Sequence, residues 1–174
     1  MRLPSKLGML LAVTLAAVVA DQLTKLGIAY GVSPGDRATV IKGFFYLTHV
    51  QNPGAAFGLL GDWSPPMRLA GFIGVSLVAV VVVLMLYRGL APGERLKACA
   101  LGLVLGGTIG NFIDRYWRGA VIDFLHFDLW GGFAWPDFNL ADLFIVCGAA
   151  ILVLELLAAE ASARADEGDL ERGP

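Results

Sequence analysis

The sequence predicts an all-α membrane protein, a bundle of four transmembrane helices that carries a small extracytoplasmic β-sheet. The chain is 57% hydrophobic and only 16% charged, and its mean hydropathy of +0.70 is higher than that of a soluble domain. The apolar residues are concentrated in four segments, 7–30, 69–87, 98–113 and 143–159. Two of the polar stretches between these segments have the residue pattern of β-strands.

The first apolar segment has two interpretations. Basic residues precede it, and Val18 and Ala20 supply the small side chains that a signal peptidase reads, so that it resembles a cleaved signal peptide. The apolar pattern nevertheless resumes after Asp21, which makes the segment long enough to remain as a helix. Asp21 and Lys25 are spaced i,i+4 with the acid first, the favourable order for an intrahelical ion pair. We therefore favour a retained helix in which this pair is structural.

The other three segments differ in how clearly they span a membrane. About 17 to 25 apolar residues cross the hydrocarbon region, and segment 69–87 has this length without a charged residue. Segments 98–113 and 143–159 are marginal alone and gain support as members of a bundle. We expect residues 1–160 to form one integral membrane domain and residues 161–174 to form a polar, disordered cytoplasmic tail.

The distribution of Lys and Arg predicts the orientation of the helices. The two termini and the loop 88–97 carry slightly more of these residues than the other two loops, so that both termini and this loop are placed in the cytoplasm. Segments 31–66 and 115–138 then lie outside the cytoplasmic membrane. The second of these supplies an aromatic belt for the membrane interface: Trp117, Trp130, Phe133 and Trp135.

Both outer segments contain a predicted strand. Residues 43–50 are rich in aromatic and β-branched residues and are bounded by turn signals on either side. Residues 121–128 have the alternation of a short strand, which places Asp123 among apolar neighbours. A small sheet on the membrane surface follows from these two patterns.

Several classes of function have no support in the sequence. A net charge of −2 without basic clusters argues against a nucleic-acid partner. Cys99 and Cys147 lie in apolar runs without CxxC spacing, which indicates packing rather than a disulfide or zinc site. His49 and His126 fit strand residues better than metal ligands, and the haem, GxGxxG, P-loop and HExxH motifs are missing. We therefore expect neither a metal nor a cofactor.

Polar residues gather at the end of the third segment. Asn111 and Asp114 lie near one face of the predicted helix, and Arg115 follows directly. An Asp–Arg pair that extends to the lipid headgroups would also explain the last two residues. Earlier in the same segment, glycines spaced four apart allow close helix packing: Gly102, Gly106 and Gly110.

Two carboxylates are candidates for catalysis. Asn139 and Asp142 fit the N-cap and N3 positions of the fourth helix, so that helix capping alone explains both residues. Asp123 has no such local explanation. Two carboxylates at the same outer face of a bundle, in partly apolar surroundings, can share a proton and act as acid and base, as an aspartic protease requires. Such a pair titrates as a unit.

Five short sequence blocks occur in a fixed order along the chain and together are highly specific. They are Asp21 with Lys25, Asn52 to Gly58, Gly106 to Arg115, Arg118 to Phe124, and Phe138 to Asp142. In this order they resemble the successive blocks of the lipoprotein signal peptidases, the type II signal peptidases of bacteria. The resemblance covers residues 21–142 and leaves only the two ends unmatched.

The resemblance implies an inner-membrane aspartic endopeptidase. Such an enzyme removes the signal peptide from prolipoproteins by cutting before a cysteine that carries a diacylglyceryl group, and it works without a cofactor. Asp123 and Asp142 correspond to the catalytic dyad, and the stretch 46–57 corresponds to the sheet that cradles the substrate. Prolipoproteins and membrane lipid are the implied partners, and we expect a monomer. The matched blocks also supply residues that bind substrate or support the site: Asn52, Gly54, Asn111, Asp114, Arg115 and Asn139.

Two other classes of function remain open at the level of the residues. A small transporter or proton relay would line a path with Asp114, Asp123 and Asp142, and would need polar residues that continue to the cytoplasmic side. The second segment offers none, and Glu155 stands alone in the fourth. A scaffold protein would use its polar residues only to hold helices together and would tolerate Asp-to-Asn exchanges.

Overall fold

The computed structural model describes residues 5–54 and 63–172, and within them four helices are long and apolar enough to cross a membrane. We number these helices α1 (Lys6–Gly31), α2 (Pro65–Gly89), α3 (Arg95–Trp117) and α4 (Leu140–Arg172). They confirm the predicted four-helix bundle. The first segment is one continuous helix, and its N-cap Ser5 accepts a hydrogen bond of 3.1 Å from the backbone N–H of Gly8.

All four helices extend beyond the segments that hydropathy marks. α3 continues past residue 113 because its polar last turn is satisfied by contacts inside the protein. α4 continues to Arg172, into the stretch for which the sequence predicts a polar, disordered tail. Ala, Glu and Arg are good helix formers, and extending an existing helix avoids the cost of nucleation.

α3 lies at the centre of the bundle, in contact with each of the other three helices. The predicted glycine face makes this possible. A Cβ atom at Gly106 would lie 2.6 Å from the Cβ of Ala17 on α1, and one at Gly110 would lie 2.5 Å from Oδ2 of Asp21. Real Cβ atoms do not approach other atoms so closely, so these glycines set the spacing between α1 and α3.

The half of the bundle near the chain termini has an apolar core. Leu10, Val83 and Leu101 from α1, α2 and α3 are buried against one another. α2 contributes little else to the interior, since only Phe72 and Val83 of its residues are buried. Its remaining apolar side chains form an exposed surface suited to lipid.

A four-stranded antiparallel sheet lies at the other end of the bundle. Its strands, in spatial and sequence order, are β1 (Arg37–Ile41), β2 (Phe45–Asn52), β3 (Val121–Asp128) and β4 (Ala134–Phe138). β2 and β3 confirm the two predicted strands, whereas β1 and β4 are short strands that the sequence did not predict. β4 has Pro136 at its centre, and a proline is tolerated there because the strand lies at the edge of the sheet.

The sheet is joined to the helices by apolar contacts and by β3. Ile28 of α1 is buried with Ile122 and Phe124 of β3. β3 follows α3 after a tight turn at Gly119, whose φ of +75° favours glycine. In the register of β2 with β3, Asn52 lies opposite Val121 and Val50 lies opposite Asp123. Residues 55–58 of the matched block, and with them part of the predicted cradle, fall outside the described residues.

Candidate active site

A closed network of charged side chains lies between α1 and α3. Lys25 Nζ is 2.9 Å from Asp21 Oδ2 and 2.8 Å from Asp114 Oδ2, and all three residues are fully buried. Arg118, four residues after Asp114, also donates to the Asp114 carboxylate. The i,i+4 ion pair predicted for α1 is therefore present, as one half of a network of two acids and two bases.

The two aspartates of this network also hold the backbone of neighbouring segments. Asp21 Oδ1 accepts a 2.9 Å hydrogen bond from the N–H of Ala141, in the first turn of α4. Asp114 Oδ2 accepts a 3.3 Å hydrogen bond from the N–H of Ile122 on β3. Each of these N–H groups belongs to the residue directly before one of the two predicted catalytic aspartates. The network therefore fixes the backbone from which both carboxylates extend.

Asp142 takes part in the predicted helix cap and also in a contact to α3. Its Oδ2 accepts from the backbone N–H of Asn139 at 3.2 Å, and its own N–H donates to Asn139 Oδ1 at 3.1 Å. This reciprocal pair is a capping box. The other carboxylate oxygen, Oδ1, accepts a 2.7 Å hydrogen bond from Asn111 Nδ2. Capping and a role in the site, which the sequence posed as alternatives, occur together.

Asp123 is held by two side-chain amides. Asn52 Nδ2 donates to its Oδ2 at 2.9 Å, and Asn139 Nδ2 donates to its Oδ1 at 2.7 Å. Asn52 is itself oriented by the backbone N–H of Gly54, which donates to Asn52 Oδ1 at 3.0 Å. Asn139 thus contacts both predicted catalytic residues, with its amide nitrogen on Asp123 and its amide oxygen on the N–H of Asp142.

The environment of Asp123 favours its protonated form. The residue is only 3% exposed, and this burial raises the pKa of its carboxyl to about 6. The negative charge of Asp142 adds to the increase, whereas the hydrogen bonds from Asn52 and Asn139 oppose it. A carboxyl group with this pKa can be protonated or ionised near neutral pH, which is the property that acid–base catalysis needs.

Asp123 and Asp142 line one cleft of about 940 Å³. Polar residues form one part of its wall, and among them are Asn52, Asn111 and Arg115. Most of the remaining wall is apolar and comes from β2, β3, β4 and the first turns of α4. The structure thus brings together the two predicted catalytic residues and three of the predicted supporting residues. Asn139 contacts both aspartates, and Asp114 acts at one remove, through the backbone N–H of Ile122 next to Asp123.

Arg115 lies at the edge of this polar wall. Its Nη1 donates to the backbone oxygen of Asn111 at 3.2 Å, and its Cζ lies 4.0 Å from the centre of the Phe72 ring. The buried Nε has no hydrogen-bond partner among the described residues. Arg115 is therefore a cation with spare donor capacity at the cleft, whereas the arginine that pairs with Asp114 is Arg118.

Sequence reasoning missed the contribution of β4. Asp137 of this strand lines the cleft, and it binds His126 Nδ1 at 2.5 Å and Thr48 Oγ1 at 2.7 Å. Asp128 lies 3.2 Å from His126 Nε2. The hydrogen bond to Asp137 raises the pKa of His126. A short strand with a central proline gives little signal, and the spacing of Thr48 and Asp137 reveals nothing without the register of the sheet.

The described residues contain no group of three or more His, Cys, Asp or Glu side chains arranged to hold a metal ion. The cleft offers two carboxylates, and such a pair can share a proton. This pair can activate a water molecule and polarise a peptide carbonyl at the same time.

A bundle of transmembrane helices with two aspartates in one cleft belongs to the class of membrane aspartic endopeptidases. The comparison with protein families gives the particular assignment. The model of the family described as signal peptidase (SPase) II matches residues 13–158, and the chain belongs to this family.

Curated relatives support the same assignment over most of the chain. The lipoprotein signal peptidase of Moorella thermoacetica is 43% identical over 147 residues, which cover 84% of this chain and 91% of that protein. The lipoprotein signal peptidase of Geobacter sulfurreducens is 42% identical over 149 residues, with coverage of 86% and 91%. The chain therefore spans nearly the full length of these relatives.

Two solved structures share the fold. One, described as a bacterial membrane enzyme determined by the in meso method at 2.3 Å resolution, has a TM-score of 0.78 at 28% identity and covers 89% of this chain and 91% of its own. A second bacterial membrane enzyme, determined by the same method at 1.9 Å, has a TM-score of 0.75 at 29% identity, with coverage of 86% and 93%.

The family assignment does not favour the transporter or proton relay considered from the sequence. The packing agrees, because the polar residues around Lys25 and the dyad lie at the sheet end of the bundle. The other half is filled by the apolar cluster of Leu10, Val83 and Leu101. Within the described residues, the polar network does not continue through this cluster.

Proposed function

We propose that Asp123 and Asp142 are the catalytic dyad of a peptidase that removes the signal peptide from prolipoproteins, cutting before a diacylglyceryl-modified cysteine. The observation that carries the proposal is the shared cleft, in which Asn139 bridges the two aspartates. Peptide hydrolysis needs one group that takes a proton from water and one that gives a proton to the carbonyl oxygen. Two carboxylates in partly desolvated surroundings supply both.

The surroundings of the two aspartates support different roles at rest. Asp142 lies in the first turn of α4, where the helix dipole favours a negative charge, and it accepts two hydrogen bonds from N–H groups. Asp123 lies on a strand and is buried, with its pKa raised to about 6. We therefore assign the shared proton to Asp123, so that Asp142 is the base and Asp123 is the acid.

The reaction then proceeds in two steps. Asp142 takes a proton from a water molecule, whose oxygen attacks the carbonyl carbon, while Asp123 gives its proton to the carbonyl oxygen. In the second step the tetrahedral intermediate collapses, the C–N bond breaks, and the proton held by Asp142 passes to the leaving amine. The hydroxyl proton of the intermediate returns to Asp123. Both aspartates thereby regain their starting states, and one water is consumed.

The cleft wall suits a substrate that is confined to the membrane. Leu143, Ile145 and Val146 of α4 extend from the polar end of the cleft along the helix, and a lipid-modified peptide can lie against them with its scissile bond at the dyad. We propose that Asn111, Arg115 and the Asn52–Gly54 corner hold the peptide backbone and the carboxylates. Because the substrate is confined to the membrane plane at a fixed depth, less entropy is lost when its scissile bond is positioned at the dyad.

We also propose that the dyad faces the outer side of the bacterial cytoplasmic membrane. Exposed tryptophans at the sheet end, Trp117 and Trp130, support an interfacial position there. Basic residues at the opposite end support its placement in the cytoplasm. Reporter fusions after Arg88 should be cytoplasmic and fusions after Gly131 should be exported; the reverse result would reject this orientation.

The test of the dyad uses isosteric variants of the full chain. Asp123→Asn and Asp142→Asn keep the shape of the side chain and one of its two accepting oxygens but remove the proton-transfer function. Each should lower the rate of cleavage of a synthetic diacylglyceryl-modified precursor by a factor on the order of 10³ or more, and the double variant should be little worse. Asp128→Asn on the same strand is the matched control and should cleave at nearly the normal rate.

Two outcomes would contradict the proposal. Near-normal cleavage by either dyad variant would exclude an acid–base role for the substituted residue. For Asp142→Asn, this result would leave only the role of Asp142 in the helix cap. Tolerance of both exchanges would favour the scaffold alternative. The folded fraction of each variant, measured by size-exclusion chromatography in detergent, separates a loss of chemistry from a loss of structure.

A further inference from the structure

The hydrogen bonds of Lys25 reach the proposed dyad through one intermediate residue. Lys25 Nζ is 2.9 Å from Asp21 Oδ2, 2.8 Å from Asp114 Oδ2 and 3.0 Å from Asn111 Oδ1. An ammonium group has three N–H donors and no acceptor, so all three donors are used. Two of the partners are carboxylates that neutralise the lysine, whereas the third is a neutral amide that also contacts Asp142.

This third bond determines how the Asn111 amide is oriented. The oxygen and nitrogen ends of an amide have nearly the same shape, so the partners decide which end points where. Lys25 can only donate, which requires Asn111 Oδ1 on its side. The Nδ2 end must then face Asp142, and it donates to Asp142 Oδ1 at 2.7 Å.

The orientation of Asn111 favours one protonation state of Asp142. An N–H donor is compatible with an ionised carboxylate, which can only accept. With the amide reversed, the Asn111 oxygen would face Asp142, and a proton would be needed on the carboxyl group to form a hydrogen bond. The mechanism requires the ionised form, because Asp142 takes the proton from water.

We propose that Lys25 is a positioning residue for the peptidase reaction, which orients the Asn111 amide so that Asn111 donates to an ionised Asp142. The inference rests on the proposed function of the dyad. It goes beyond the structural role that the i,i+4 spacing suggests, since an intrahelical ion pair with Asp21 would need no contact with Asn111.

Other charged groups also act on Asp142 and must stay unchanged in a test. Arg115 of α3, Asp123 of β3 and Asp137 of β4 line the same cleft. Lys25 of α1 contacts Asn111 at its oxygen end, whereas Asp142 contacts the nitrogen end. The network around Lys25 contains two acids and two bases, so its net charge is zero, and its main influence on Asp142 is the hydrogen bond.

Removing Lys25 alone would leave Asp21 and Asp114 buried without their shared cation and would lower the folded fraction. The double variant Asp21→Asn/Lys25→Met avoids this imbalance. It removes one charge of each sign, leaves the Asp114–Arg118 pair, and keeps an oxygen at residue 21 for the N–H of Ala141. The single variant Asp21→Asn is the matched control, because Lys25 and its bond to Asn111 remain.

The measurement is the pH dependence of kcat and KM for a synthetic diacylglyceryl-modified precursor, with the full chain in detergent or lipid. The control leaves the network with one net positive charge, so its acidic limb should lie at the normal pH or at lower pH. In the double variant this limb should move to higher pH by about one unit, because Asp142 loses the orientation that favours its ionised form, with about a tenfold loss of kcat on that limb. KM should stay close to that of the control. A purely structural role would change the folded fraction and leave the acidic limb in place.

A second variant keeps the inference testable if the double variant does not fold. Asn111→Leu removes the same hydrogen bond to Asp142 and should move the acidic limb to higher pH by a similar amount. Adding Asp21→Asn/Lys25→Met to it should cause no further shift, since both changes act through one amide. An acidic limb at its normal position in the double variant, or in Asn111→Leu when that variant alone folds, overturns the role of Lys25. Activity in Asp123→Asn would instead overturn the dyad itself.

Discussion

Four aspartates of the described residues form two pairs that are held in opposite ways; Asp21, Asp114 and Asp123 are buried, and Asp142 is half-buried. Asp21 and Asp114 are closed off from the cleft and bind the cations Lys25 and Arg118. Asp123 and Asp142 line the cleft and bind N–H groups of neutral amides. The same side chain thus occurs in two environments that differ in the charge of its partners.

The difference determines how each pair responds to a loss of charge. A buried carboxylate beside an ammonium or guanidinium group is one half of an ion pair, and removing either half leaves the other buried without its partner. A carboxylate beside amide N–H groups gains no full opposite charge, so that burial keeps protonation within reach, as at Asp123. The cation-bound aspartates join α1, α3, β3 and α4, and the amide-bound aspartates are the pair that we propose for the chemistry.

The largest expected effect is on stability, from a change in the cation-bound pair of Asp21 and Asp114. If Asp21 and Lys25 formed only an intrahelical ion pair, the exchange Asp21→Lys/Lys25→Asp would restore part of the stability. Here, the carboxylate introduced at position 25 would face Asp114, and the ammonium group introduced at position 21 could not accept from the N–H of Ala141. We expect a loss of at least about 3 to 5 kcal/mol in the free energy of unfolding. The folded fraction after extraction should be no higher than that of Asp21→Ala, and a clear rescue would contradict the network.

Matched isosteric changes compare the two pairs directly. Asp114→Asn removes the charge that Lys25 and Arg118 need and should lower the free energy of unfolding by about 1.5 to 3 kcal/mol. Asp123→Asn leaves one neutral amide N–H without its acceptor and should cost about 0.5 to 1.5 kcal/mol while cleavage is lost. Thermal unfolding in detergent measures both. Equal losses of stability would remove the distinction between the pairs.

Asn139 has two roles that single substitutions can separate. Asn139→Ala removes the cap of α4 and should cost about 1 kcal/mol of stability together with most of the cleavage activity. Asn139→Ser retains a capping oxygen but has no amide nitrogen to donate to Asp123. It should restore most of the stability and little of the activity, as measured by thermal unfolding and precursor cleavage. Parallel recovery of both properties would contradict the bridging role.

The smallest expected effect concerns the contact between β3 and β4. Asp137 raises the pKa of His126, so the charged imidazole stabilises the folded state fully below the pKa of an unfolded histidine. This contribution is lost as the pH rises through the folded-state pKa. We expect it to be under about 1 kcal/mol, because the site is partly exposed to solvent.

The corresponding measurement is the melting temperature between about pH 5 and about pH 9. The melting temperature of the normal chain should fall as the pH increases through this range, and it should fall by more than that of His126→Gln. Asp137→Asn is the control and should reduce the same pH dependence. Identical pH profiles for all three chains would show that the contact has no influence on stability.

Features with local spacing were predictable from the sequence. The four-residue separation of Asp21 and Lys25 indicated their pairing, and the three-residue separation of Asn139 and Asp142 indicated the cap. The strand around Asp123 followed from its alternating pattern. The sequence blocks of the family then brought these residues into one hypothesis, which the family comparison confirms at the level of the protein's class.

Long-range contacts were not predictable in this way. Lys25 and Asn111 are 86 residues apart, and Asn52 and Asp123 are 71 apart, so that no spacing rule connects them. β4 lacks a strong strand pattern because its stability comes from pairing with β3. The polar composition of residues 161–172 predicts disorder, whereas the Ala, Glu and Arg residues among them also favour the continuation of a helix that has begun.

The hydrogen bond from Ala141 to Asp21 joins residues that are 120 positions apart, and this separation has a consequence for biosynthesis. α1 leaves the ribosome long before α4, and its i,i+4 pair lets Asp21 and Lys25 enter the membrane as mutual partners. Asp114 joins them with α3, and Ala141 arrives last. We expect a chain that ends at Gly132 to insert and then to be degraded faster than the full chain, which pulse-chase labelling would measure. The last helix would then complete the catalytic cleft and also protect the nascent chain from quality control.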